Sequence, residues 1–254
     1  MDYNVVVLEA DVENLILQGD CMEVLTTLPA GSIDLAYLDP PFNTGERQST
    51  VQTSYADSWP DMDAYLAHMR PRIVAIIAAL KPNGSILLHC DWRTCHHFRL
   101  MLDRLMGPER FINHLIWSYG LGGSSPRRFA RKHDDILLYG KSNDYFFDPP
   151  MVPATSRRMV GQLKKATDVI EIPSINNMAA ERVGYPTQKP LALLELLVGA
   201  CCQPGGMVID PFCGSGTTLA AAAKLGRRFI GIDMNPDAVR ISRERCEQPA
   251  AITS

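Results

Sequence analysis

The chain has 254 residues, 46% of them apolar and 21% charged, with a formal net charge of −3; this suits one α/β domain with a sizeable core and an inserted lobe. No run approaches the roughly 18 apolar residues of a membrane span, and Met1-Asp2-Tyr3-Asn4 lacks the basic start of a signal peptide, so the expected setting is cytoplasmic. Seven cysteines at irregular spacing, with no Cys-x-x-Cys pair, exclude a disulfide framework or a zinc ribbon as organising principle.

In chain order, short apolar strands alternate with helical stretches. Asn14-Leu15-Ile16-Leu17-Gln18 predicts a strand ending at Gly19-Asp20, followed by a short helix over 22–28 and a strand over 33–38. A polar loop over 43–60 leads to a helix over 62–80, which Lys81-Pro82-Asn83-Gly84 stops. Then come a strand over 85–90, a helix over 93–106, strands over 111–117 and 136–139, and a helix over 191–201. A strand over 207–209, a helix over 217–225, a strand over 229–232 and a helix from Pro236 close the pattern. Strands and helices in this rhythm imply βαβ units and a largely parallel sheet covered on both faces. Ligands of such sheets sit beyond the carboxyl ends of the strands, which brings Asp20, Asp39, Asp210 and Asp233 together.

The stretch from Tyr119 to Tyr185 breaks the rhythm. It is rich in Gly, Ser, Pro and Arg and reads as an insert carrying specificity on a rigid scaffold. Between Ser118 and Lys165 the charge balance is +5, which leaves −8 for the rest of the chain. An acidic body with one basic face suits contact with phosphates; a solvated loop is the plainer alternative. His89, Cys90, Cys95, His96 and His97 form a possible ligand cluster. The simpler reading puts Cys90 at a strand end and His96-His97 on the next helix, with no metal.

Two signatures carry chemistry. Asp39-Pro40-Pro41-Phe42 directly follows a strand. An aromatic amine is a poor nucleophile because its lone pair is delocalised into the ring. Two acceptors on its hydrogens, the Asp39 carboxylate and the Pro40 carbonyl, would localise that pair. The prolines stiffen the turn, and Phe42 offers a stacking face for a base that has left the helix. The second signature is Asp210-Pro211-Phe212-Cys213-Gly214-Ser215-Gly216-Thr217-Thr218, opening a helix, with Gly231-Ile232-Asp233 one strand later. Glycines admit close backbone approach, the helix start offers free N–H groups, and Asp233 stands where a ribose hydroxyl pair is bound. A dinucleotide site is the rival, but Leu219 fills the third glycine's place, and no Gly-Lys-Ser/Thr is present.

With these segments in this order, the chain resembles the β-group of amino DNA methyltransferases, found in restriction–modification systems and as stand-alone bacterial enzymes. The resemblance spans nearly the whole chain in that group's permuted order. Asp39-Pro40-Pro41-Phe42 matches the catalytic motif, with Phe42 where Tyr is commoner. Phe212 to Gly216 match the cofactor loop, and Gly19-Asp20-Cys21 the segment beside the adenosine. Tyr185-Pro186-Thr187-Gln188-Lys189-Pro190 matches the segment that closes over the methionine part, and 131–139 the strand at the recognition region.

The resemblance implies a Rossmann-like fold with a mixed seven-stranded sheet, S-adenosylmethionine as donor, base flipping in double-stranded DNA and no metal. A homodimer and a companion restriction endonuclease are partners known in the group. The implied cofactor residues are Asp20, Cys21, Asp39, Thr187, Lys189, Asp210, Phe212, Cys213, Gly214, Ser215, Gly216, Thr217, Thr218, Asp233 and Met234. Arg127, Arg128, Arg131 and Lys132 are the expected DNA contacts. Cytosine-N4 relatives usually carry Ser in place of Asp39, so the expected product is N6-methyladenine, with N4-methylcytosine as the alternative. A methyltransferase acting on RNA or protein amides, or a non-catalytic DNA-recognition subunit, fits the permuted order and intact signatures less well.

Overall fold

The computed structural model describes residues 14–44, 46–49, 54–120, 124–154, 158, 160–176 and 179–247, with 46–49 and 54–57 described by their backbone alone. The elements in chain order are β1 (Leu15–Gln18), α1 (Cys21–Leu25), β2 (Ile33–Leu38), β3 (Glu46–Ser49), β4 (Ser54–Asp57), α2 (Met62–Ala79), β5 (Leu80–Cys90) and α3 (Cys95–Met106). They continue with β6 (Phe111–Ser118), β7 (His133–Gly140), β8 (Met151–Pro153), β9 (Leu163–Lys165), β10 (Val169–Glu171), α4 (Leu191–Cys201), β11 (Met207–Asp210), α5 (Thr217–Lys224), β12 (Arg228–Asp233) and α6 (Pro236–Glu247).

One sheet runs in the order β1-β12-β11-β2-β5-β7-β6-β10. All neighbours pair in parallel except β7, which is antiparallel to both β5 and β6. The sheet therefore has the expected mixed character with eight strands rather than seven. The additional one is β10, three residues added in parallel to the edge strand β6. Its shortness hides it in the sequence.

Strand β2 is buried along its whole length, because helices cover both faces of the sheet. Its alternate residues feed two cores: Ala36 and Leu38 pack with Tyr65, Met69 and Ile73 of α2 and Phe98 of α3. Leu35 and Tyr37 pack with Leu193 and Leu197 of α4 and Leu219 of α5. A continuous apolar run is what a strand buried on both faces requires.

Three local departures have physical causes. Lys81-Pro82-Asn83-Gly84 lies inside β5 instead of ending the helix in a turn, and the pairing with β2 shifts register there. A β-carbon at Gly84 would come 2.9 Å from the Ile33 carbonyl oxygen, so close strand approach overrides the turn chemistry. The polar loop over 43–60 contains the antiparallel pair β3 and β4. Within 119–185, β7 is an inner strand of the sheet, so that part of the segment is scaffold. The pair β8 and β9 stands apart as its own two-stranded sheet.

Candidate active site

Strands β1, β2, β11 and β12 run parallel and finish at one edge, delivering Asp20, Asp39, Asp210 and Asp233 to a single cleft of about 270 Å³. This cleft is lined by every residue expected at the cofactor except Gly216, and by Asp39 and Pro41 of the turn expected to be catalytic. Pro40 is buried and Phe42 half-buried; neither lines the cleft, and the Phe42 ring packs instead against His89.

The floor is the loop between β11 and α5. Gly214 and Gly216 adopt left-handed φ of +50° and +71°, open to glycine at little cost. The Gly214 N–H donates to Asp233 Oδ2 at 2.9 Å, and the Asn235 N–H to Oδ1 at 2.8 Å. From α6, the Ser242 hydroxyl donates to the Gly214 carbonyl at 2.8 Å. Asp233 thus fastens the loop as well as facing the cleft, and each carboxylate oxygen keeps a further lone pair for a ligand hydroxyl. Leu219, where a third glycine would stand, is fully buried and fills the space over Gly231, whose absent β-carbon would lie 2.3 Å from it.

Cys213 and Cys21 line the cleft but are nearly inaccessible. Burial pushes the Cys213 thiol well above its ordinary value and that of Cys21 up to about 11, so both are neutral near pH 7. Asp20 caps α1 through the Met22 N–H at 2.9 Å and pairs with the buried Arg72 at 2.8 Å. Burial raises the Asp20 carboxyl, but the Met22 N–H and Arg72 outweigh it and leave it below the usual range.

Asp210 is the opposite case. It is fully buried beside Asp39 and Asp233, and burial above all lifts its pKa to about 7, despite hydrogen bonds from Thr218 and the Phe212 N–H. The folded protein keeps this proton up to about pH 7, while an unfolded chain releases it near 3.8. Stability should therefore fall as pH rises between those values and level off above them. Asp210→Asn is expected to remove that component. Denaturant titrations at pH 5 and pH 8 should show a smaller loss for the variant than for the parent, and equal losses would refute the assignment.

The Asp39–Phe42 turn is held from several sides. Lys189 Nζ lies 2.5 Å from Asp39 Oδ2, and the Tyr65 hydroxyl donates to the Pro41 carbonyl at 2.7 Å. The second hydrogen bond occupies the carbonyl next to Pro40's. Asn43 takes a φ of +54°, which Asn tolerates better than most residues, and its side chain accepts the Trp59 N–H at 3.0 Å. Lys189, expected at the carboxylate end of the cofactor, thus reaches the Asp39 carboxylate here.

Beside Phe42 stands a buried network. His89 is 5.8 Å from the Phe42 ring centre, with Trp117 edge-on to it at 5.7 Å. Its Nδ1 is 2.7 Å from the Tyr37 hydroxyl and its Nε2 3.2 Å from Asp134 Oδ2. The Asp134 carboxylate can only accept, so Nε2 donates to it. Burial raises the Asp134 carboxyl, but His89, Lys189 and Tyr119 bring it below the usual range.

His89 and Cys90 point to opposite sides of the sheet, as neighbours in a strand must. The cluster weighed as a ligand set from sequence therefore does not converge. Instead, Cys95 Sγ and Asp135 Oδ1 lie 3.6 and 2.6 Å from His114 Nε2 on the far face.

Arg127, Arg128 and Arg131 are exposed and Lys132 is half-buried. Arg131 stacks on Trp92 at 3.4 Å from the ring centre. Arg157 lies outside the described residues. Sequence reasoning missed Trp59, His68 and Arg72, all of which line the cleft, where they join Tyr185 of the segment expected to close over the cofactor. The only local sign was polar His68 and Arg72, four apart on the face of α2 that also carries Tyr65 and Met69.

The family model described as DNA methylase, N6_N4_Mtase, matches residues 33–244. The chain is 28% identical to the DNA adenine methyltransferase YhdJ of Escherichia coli (strain K12), over 91% of this chain and 82% of that protein. Its fold is shared with M1.HpyAVI, solved as a SAM complex, at a TM-score of 0.65 and 22% identity over 92% of this chain and 99% of that one. It is shared too with the PvuII DNA methyltransferase (cytosine-N4-specific), at a TM-score of 0.70 and 18% identity over 95% and 89%.

Proposed function

The chain belongs to the N6_N4_Mtase family of DNA methylases, and from that premise we propose that it methylates N6 of adenine in duplex DNA, with S-adenosylmethionine as donor. The observation that carries the reading is the position of Asp39. Its carboxylate lines the cleft just past the end of β2, on a turn stiffened by two prolines, and Lys189, which pairs with it, also lies 5.3 Å from the Phe42 ring centre.

The cleft fits the cofactor. Asp233 offers acceptors for ribose hydroxyls, Gly214 exposes backbone, and Asp39 supplies negative charge for a sulfonium. Thr187 and Lys189 line the same cleft and are the donors proposed for the carboxylate end. When bound, S-adenosylmethionine supplies an electrophilic methyl group. Phe42 stacks on the flipped base. Lys189 fixes Asp39 through Oδ2, leaving Oδ1 and the Pro40 carbonyl to accept the two amine hydrogens. The amine lone pair is thereby localised toward the donor, and the surplus proton leaves to solvent. Catalysis of this kind is mainly positioning and electrostatic complementarity.

Cytosine N4 is the second reading, favoured by the likeness to the PvuII enzyme. The carboxylate at position 39, where cytosine-N4 relatives usually carry Ser, favours adenine. Transfer of labelled methyl to unmethylated duplex DNA, followed by nucleoside digestion and mass spectrometry, tests the proposal. N6-methyl-2′-deoxyadenosine supports it and N4-methyl-2′-deoxycytidine refutes the adenine assignment.

Arg127, Arg128, Arg131 and Lys132 are the proposed phosphate contacts, and the loops flanking β7 between 119 and 185 the proposed recognition insert. Of the acids nearest in sequence to the arginines, Asp134 is hydrogen-bonded to His89 and Asp135 to His114. Replacing Arg127 and Arg128 by Ala should weaken specific and non-specific duplex binding alike. The slope of log K against log salt should shrink by about one unit per lost contact. An unchanged slope would move the role to Arg158, Lys164 and Lys165.

A further inference from the structure

Phe129 is 98% exposed, the most exposed large hydrophobic side chain among the described residues. Leaving an aromatic ring in water forgoes the free energy that burying it would release, so its place on the surface calls for an occupant.

Its surroundings specify which. Exposed Arg127 and Arg128 precede it and exposed Arg131 follows two residues later. Two ties hold the segment: the Tyr119 N–H donates to the Lys132 carbonyl at 3.1 Å, and Arg131 stacks on Trp92. Phe129 borders a cavity of about 290 Å³ that Tyr119 and Asp134 also line. These two are joined by a hydrogen bond of 3.4 Å, and Asp134 leads through His89 to the Phe42 ring. The cavity that the exposed ring borders therefore shares Asp134 with the buried network beside Phe42, the ring proposed to stack on the flipped base.

We propose that Phe129 enters the duplex and fills the gap left when the target base leaves the stack. The inference rests on the reading of the site as one that takes a base out of duplex DNA. The arginines supply the sequence-independent attraction to phosphates, which a phenyl ring cannot. The ring supplies a stacking face for the bases on either side of the gap, which the arginine charges alone do not. Apolar wedges inserted between base steps are a known way to offset the cost of unstacking. A protein partner would suit the ring but leaves the surrounding positive charge without purpose.

The test uses the full chain and a duplex containing the sequence it methylates, with 2-aminopurine at the target position (pyrrolocytosine for a cytosine target). The parent protein should raise the probe's fluorescence as the base unstacks. Phe129→Ala should lose most of that rise even at saturating protein, and its duplex affinity should fall between about fivefold and a hundredfold. Phe129→Trp should restore both, and cofactor affinity and melting temperature should not change. A full fluorescence rise in Phe129→Ala would overturn the wedge. So would a lowered melting temperature, or a change in oligomeric mass, since either would give the ring a packing role. If the parent itself bound the duplex without any rise, the base-extrusion reading would fail instead.

Discussion

Asp39→Ala is expected to abolish methyl transfer while leaving the fold and cofactor binding largely intact. The side chain stands at the end of β2 on a turn fixed by Pro40, Pro41 and the hydrogen bond from Tyr65 to the Pro41 carbonyl. Removing the carboxylate leaves that backbone frame in place. What it takes away is one of the two acceptors that localise the amine's lone pair, and the partner that Lys189 holds at 2.5 Å. Loss of a single group of this kind commonly lowers turnover on the order of 10²–10⁴-fold. Single-turnover assays with labelled cofactor measure the chemical step, and calorimetry measures cofactor binding separately. Near-normal turnover would exclude Asp39 from the chemistry. Loss of cofactor binding alone would make it a binding residue.

Gly216→Val is expected to have the largest effect on stability. At φ +71° the residue is left-handed, a conformation that a β-branched residue adopts only with strain. The obstacle is also steric. A β-carbon would lie 2.8 Å from Ser242 Oγ and 3.0 Å from its Cα. It would push against α6, not into the cleft, which Gly216 does not line. Ser242 is fully buried and its hydroxyl holds the Gly214 carbonyl, so the displacement passes directly to the cofactor loop. Strain and overpacking together cost about 3 kcal/mol or more. For a domain of this size that lowers the melting temperature by roughly 10 °C. Cofactor affinity should fall with it, because the loop cannot keep its path. A normal melting temperature with weakened binding would instead mean that the glycine serves the ligand alone.

Much of the fold was legible because the sheet is buried on both faces. Runs such as Leu35-Ala36-Tyr37-Leu38 and Ile86-Leu87-Leu88 declare their strands without help from neighbours, and the acid after each strand follows from parallel topology. The short edge strand at Val169-Ile170-Glu171 was not legible, because three residues carry no periodicity and their pairing with Ile116 to Ser118 is decided across the fold. Lys81 to Gly84 read as a turn because local chemistry favours one there; contact with β2 overrides it. At the site, the motifs located Asp39 and the glycine loop. Arg72 and Asp20 are 52 positions apart, and Lys189 and Asp39 are 150 apart. Such pairings follow from the topology of the whole sheet, so no local spacing announces them. His89 drew attention as a ligand only because it sits beside Cys90. Strand alternation separates the two, placing His89 with Tyr37 and Asp134 against the Phe42 and Trp117 rings.

The most direct measurement is modified-base sequencing of DNA from a host that lacks other methyltransferases and expresses either the parent chain or Asp39→Ala. The expected result is N6-methyladenine at essentially every copy of one short sequence with the parent chain, and at none with the variant. DNA without any methylated amine, from cells making soluble parent protein, would contradict the account.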